Sequence, residues 1–144
     1  MNGESVFDQL YKQAHKKSTQ IFSPSDPSEA PFRAKFVGEN SYDAGGPFRD
    51  VMENICTEIT ERFFKPTSNM DSLPDVTSHQ PRLLTSTHDL RQFELIGKMI
   101  GWALTSTLFN LSLDLNPIFW KRLLGIPIVI EDLKEVDIYR YQVV

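Results

Sequence analysis

Apolar residues recur at every third or fourth position along much of the chain, and this spacing predicts amphipathic helices. The predicted helices cover residues 5–17, 47–64, 87–110 and 117–124. Ser5 and Asn116 are residue types that cap helix N-termini, and Pro117 suits a first helical position, where its missing N–H leaves no bond unmade. Gly125 follows the last helix as a C-terminal glycine does. The chain is therefore expected to be mainly helical.

One segment has the two-residue period of a half-buried strand. Between Pro31 and Val37, three apolar residues alternate with two basic ones. Residues 65–80 are polar and interrupted by prolines, which predicts a mobile loop or an insertion. Residues 128–133 begin a further element. The expected fold class is α+β, mainly helical, with one or more short strands.

The composition suits a folded domain and argues against nucleic-acid binding. Of the 144 residues, 40% are apolar and 11% are aromatic, which is enough to build a core. The net charge is −4, and the densest basic groups are the pairs at 16–17 and 121–122. Such pairs are too short to neutralise a run of phosphates, so we expect no nucleic-acid partner.

Cysteine content and the lengths of apolar runs bear on the compartment. Cys56 is the single cysteine, so neither an internal disulfide nor a multi-thiolate zinc site can form, which favours a reducing compartment. The most membrane-like stretch, residues 99–113, has 15 residues without a charge, whereas a membrane span needs roughly 20. We therefore expect no membrane association and a cytoplasmic location, with the nucleus as the other compartment. The pair Gly97 and Gly101 then predicts close helix packing in a core, not a membrane dimer.

Residues 36–50 bring together a strand end, a glycine-rich turn and a helix start. A phosphate cradle is disfavoured because no lysine follows the glycines and two carboxylates would repel phosphate. A calcium loop would need alternating oxygen ligands and a closing glutamate, which the segment lacks. We interpret it as a structural corner, in which carboxylates cap backbone N–H groups or pair with arginine and glycines allow close approach. Its residues are Glu39, Asp43, Gly45, Gly46, Pro47 and Arg49.

The residue types that carry catalysis do not come together in this sequence. Cys56 lies in the middle of a predicted helix, on its apolar stripe and near two glutamates, and both features raise a thiol pKa. We expect an inert core cysteine. The three histidines are scattered, so no metal site and no cofactor are expected, and an independent small-molecule enzyme has little support.

Five blocks of the chain, in order, resemble the N-lobe of HECT-type ubiquitin ligase domains. The central block ends a strand at Phe36-Val37-Gly38-Glu39 and opens a helix with Gly45-Gly46-Pro47-Phe48-Arg49-Asp50. The other blocks are residues 5–11, 93–104, 111–125 and 131–137, and they correspond to the family's first helix, long helix, following leucine-rich link and acidic link. The likeness spans nearly the whole of residues 1–144, which we interpret as the first part of a HECT N-lobe.

The resemblance implies a parent E3 ubiquitin transferase, which accepts ubiquitin from an E2 enzyme as a cysteine thioester and passes it to substrate lysines. The E2-binding subdomain and the catalytic C-lobe have no counterpart here, and the thioester cysteine is expected beyond Val144. The chain would then be a scaffold portion, inactive alone, whose partners E2 and ubiquitin act through the parent domain. The alternative is a truncated, non-catalytic module that binds ubiquitin or competes with the full-length ligase.

Overall fold

The computed structural model describes residues 4–16, 21–22, 26, 28–34, 46–69, 83–84, 89–113 and 115–144. Helix α1 covers Val6–Lys16, α2 Gly46–Phe63, α3 Leu90–Thr105, α4 Pro117–Leu123 and α5 Ile138–Tyr141. Strands β1 (Phe64–Lys65) and β2 (Leu83–Leu84) pair antiparallel, and a 3-10 helix covers Ile130–Glu135. The mainly helical α+β class predicted from the sequence is confirmed.

The chain forms two compact units, and the boundary between them falls within α2. Unit 1 contains α1, α2 up to Ile59, and α3; unit 2 contains the end of α2, both strands and everything after Ser112. In unit 1 the amphipathic helices bury their apolar stripes, as the periodicity predicted. The buried apolar side chains of unit 1 are Phe7, Leu10, Phe22, Phe48, Met52, Ile55, Cys56, Ile59, Leu95, Ile96, Met99, Ile100, Trp102 and Phe109.

Aromatic side chains form one end of the unit 1 core. The Phe48 ring meets Trp102 at 5.9 Å and Phe109 at 6.4 Å between centroids, both edge to face. Phe32 approaches Phe48 at 5.2 Å and Phe22 at 6.2 Å. Such tilted and edge-to-face pairs add stabilisation beyond the area they bury.

The predicted strand at residues 31–37 is wrong in its described part. Residues 31–34 form bends and irregular backbone, and residues 35–37 lie outside the described ranges. Pro31 has no N–H to donate to a ladder, and Phe32 is held by packing on Phe48. The described strands are instead β1 and β2, which pair Phe64 with Leu84 and Lys65 with Leu83.

Helix ends follow local rules where the chain carries a clear signal. Ser5 Oγ accepts the Asp8 N–H at 3.1 Å, and the Asp89 side chain caps α3 by accepting from Arg91 N. Helix α3 ends at Thr105, earlier than the predicted 110. The Thr105 hydroxyl donates to the Trp102 carbonyl, and the Ser106 hydroxyl accepts the Leu108 N–H. The Ser106 hydroxyl thus takes the Leu108 N–H, which a longer helix would bond to a backbone carbonyl, while the Trp102 carbonyl keeps its helical bond from Ser106 N at 2.9 Å.

Candidate functional site

Of the structural corner predicted at residues 36–50, the structure describes only the residues from Gly46 onward. Glu39, Asp43 and Gly45 lie outside the described residues, so their capping role stays a prediction. Gly46 begins α2 and Pro47 occupies its first turn, as expected for a proline there. The Arg49 guanidinium reaches the Leu108 carbonyl at 3.4 Å, which ties the start of α2 to the segment after α3.

The close approach expected at three glycines is not found among the described residues. A methyl group placed on Gly46, Gly97 or Gly101 would meet no described atom within 4 Å. Gly97 and Gly101 lie on the exposed face of α3, because the helix buries a different stripe. That stripe consists of Leu95, Ile96, Met99, Ile100 and Trp102. No described atom packs closely against these two glycines, so their packing role stays a prediction.

Cys56 lies in the unit 1 core with 2% of its surface exposed. Burial raises the pKa of its thiol to about 11, and the Glu53 charge acts in the same direction, while a backbone hydrogen bond at Ser112 opposes them. A thiol with this pKa stays protonated near neutral pH and is a poor nucleophile. The burial and the raised pKa agree with the sequence-based expectation of an inert thiol.

In unit 2, Asn69 holds the segment of residues 134–138 through hydrogen bonds, and no sequence pattern marked this residue. Asn69 Nδ2 donates to the Lys134 carbonyl at 2.7 Å, and Asn69 Oδ1 accepts the Ile138 N–H at 2.8 Å. The Asn69 backbone N–H also donates to the Val136 carbonyl at 3.1 Å. Asn69 lies within residues 65–80, predicted as a mobile loop, and its neighbour Thr67 is only 2% exposed. The start of that segment is thus anchored, and residues 70–80 lie outside the described ranges.

A second asparagine reinforces the same segment. Asn116 is fully buried and caps α4, as predicted, because its Oδ1 accepts the Ile118 N–H at 3.0 Å. Its Nδ2 reaches the Glu135 carbonyl at 3.4 Å. We call Asn69 and Asn116 the asparagine clamp, since together they bond the backbone of residues 134–138. Asn116 is buried and Asn69 is partly so. Amides with several backbone partners favour one backbone arrangement, because each lost bond leaves a polar group without its partner.

An ion pair fixes the start of the 3-10 helix. The Lys121 ammonium lies 2.6 Å from Asp132 Oδ1, and Asp132 Oδ2 accepts the Val129 N–H at 2.9 Å. These two hydrogen bonds hold the pKa of the Asp132 carboxyl below its usual value of 3.8. Asp132 is 8% exposed, so this pair joins α4 to the 3-10 helix away from most solvent.

Between these anchors the chain exposes nine consecutive residues, 122–130, which we call the apolar surface. Leu123 and Leu124, which belong to the apolar spacing of the helix predicted at 117–124, are 60% and 70% exposed. Gly125 at φ 68° closes that helix, with Ile126 N bonded to Lys121 O at 2.8 Å. An open cavity of about 360 Å³ is lined by Arg122, Gly125, Ile126, Pro127 and Ile128. Exposed apolar area this continuous is typical of a binding face.

The described residues contain no group of three or more His, Cys, Asp or Glu side chains that could hold a metal ion. His79 and His88 lie outside those residues, as does the His15 side chain. A search of the described helices for one long and apolar enough to cross a membrane found none.

Comparison with known proteins places the chain in a family. The HECT-domain (ubiquitin-transferase) family matches residues 50–143. The human "Probable E3 ubiquitin-protein ligase HECTD4" is 30% identical over 131 residues, covering 87% of this chain and 3% of that protein. Human "E3 ubiquitin-protein ligase HERC2" is 30% identical over 113 residues, covering 74% of this chain and 2% of that protein.

The murine protein of the same name as the latter matches over the same length at 30% identity. The chain therefore spans a very small share of the curated relatives that it matches. No solved structure matches it. The matched range contains α3, α4, the asparagine clamp and the apolar surface, and on this evidence the chain belongs to the HECT-domain family.

Proposed function

We propose that this chain is a scaffold portion of a HECT-type E3 ubiquitin-protein transferase. In that reaction ubiquitin passes from an E2 enzyme to a cysteine thioester and then to substrate lysines. The state of Cys56 carries the proposal for this portion: it is the chain's one cysteine, and burial raises its pKa to about 11. A thioester acceptor must be reached by the E2 and must ionise, so the acceptor belongs to another part of the parent.

The scaffold role rests on how unit 2 is held together. The asparagine clamp and the Lys121–Asp132 pair fix residues 129–138 through side chains, on both sides of the short 3-10 helix that this segment contains. A segment held in this way can support a neighbouring part of a larger domain in one orientation. E2 and ubiquitin would then act on the parent domain, in the cytoplasm or the nucleus, with no cofactor.

A thioester assay tests the first part of the proposal. The chain is incubated with E1, E2, ATP and ubiquitin, and the products are separated with and without reducing agent. We expect no reducible ubiquitin adduct on the chain, while the E2 thioester in the same lane shows that charging occurred. Cys56→Ser serves as the matched control. A reducible adduct that Cys56→Ser abolishes would overturn the assignment.

The scaffold role is tested in the full-length protein that contains this chain. We expect Asn69→Ala to slow the discharge of ubiquitin from E2, because the segment at 134–138 loses two side-chain bonds. Lys65→Ala, an exposed change in the same unit, is the control. Equal discharge rates for the two variants would count against the scaffold role.

The alternative is a non-catalytic module that binds ubiquitin or competes with the full-length ligase. Adding the 144-residue chain to the parent's discharge reaction separates the two. A scaffold portion leaves the parent's rate unchanged, whereas a competing module lowers the rate as its concentration rises.

A further inference from the structure

We draw no further inference here: the strongest candidate, the apolar surface of residues 122–130 with the open cavity beside Arg122 and Ile128, carries none because nothing in the structure shows what covers it.

Discussion

Glu58 holds the N-terminus of α1 from a distant part of the sequence. Its Oε1 accepts the Val6 N–H at 2.9 Å and its Oε2 accepts the Phe7 N–H at 2.8 Å. The first N–H groups of a helix have no partner within the helix, and a carboxylate there also meets the positive end of the helix dipole. The pair of bonds fixes α1 on α2 and keeps Phe7 fully buried. We predict that Glu58→Ala destabilises the chain more than the substitution of other exposed or half-buried residues of α2 does.

The magnitude follows from the two bonds. A hydrogen bond to a charged group contributes about 1.5–3 kcal/mol when protected from water. The Glu58 side chain is half-buried, and water can replace part of each bond, so we take about 1 kcal/mol for each. The expected loss is about 2 kcal/mol, which corresponds to a urea midpoint lower by about 1 M. Glu58→Gln keeps one carbonyl oxygen as acceptor, so its loss should fall between those of the wild type and Glu58→Ala.

Urea unfolding followed by circular dichroism measures the free energy of unfolding of each variant. Glu61→Ala, an exposed glutamate one turn further along α2, is the matched control and should change the free energy by less than about 0.5 kcal/mol. Hydrogen exchange adds a local measure, because the Val6 and Phe7 amides should lose protection before other amides of unit 1. If Glu58→Ala unfolds at the same urea concentration as Glu61→Ala, the bonds to α1 do not stabilise the chain as argued.

Three further predictions concern unit 2. Asn116→Ala should lower the free energy of unfolding by about 2 kcal/mol in urea titrations, because it removes a helix cap and a bond to the Glu135 carbonyl made by a fully buried side chain. The folded-state pKa of Asp132 is lowered by Lys121, so its contribution to stability is present above the usual pKa near 3.8 and is lost as the pH falls below it. Thermal unfolding between pH 6 and about 2 should therefore show a smaller acid-induced decrease in Asp132→Asn than in the wild type. Gly125→Ala should cost about 1 kcal/mol because φ is 68°, although no described atom obstructs the added methyl group, and a cost near zero in urea unfolding would contradict this account.

Features set by local chemistry could be predicted from the sequence. The cap at Ser5, the cap at Asn116 and the left-handed glycine at Gly125 each depend on residues within one turn of the chain. The buried stripes of α2 and α3 follow the apolar period in the same way. Resemblance at the level of short blocks also led to the correct family, which the match over residues 50–143 confirms.

Features that depend on residues far apart in the sequence could not be predicted from it. Glu58 meets Val6 across 52 positions, and Asn69 meets Ile138 across 69, and no local pattern marks either residue as a partner. Asn69 sits among polar residues and prolines, which have the composition of a loop whether or not one amide is anchored. The spacing of Gly97 and Gly101 in α3 predicts close packing, whereas the buried stripe described for that helix passes along another face, so the role of these glycines stays a prediction.

The positions of the Gly125 turn and of the Lys121–Asp132 ion pair explain why unit 2 can expose the apolar surface. An irregular segment rich in Ile and Leu would ordinarily collapse inward, because burying those side chains is favourable. Here Gly125 redirects the chain after α4, and the Lys121–Asp132 pair joins the residues on the two sides of the segment. The side chains between these two points remain outside because their backbone is held. An exposed apolar segment held in place in this way is typical of a binding face.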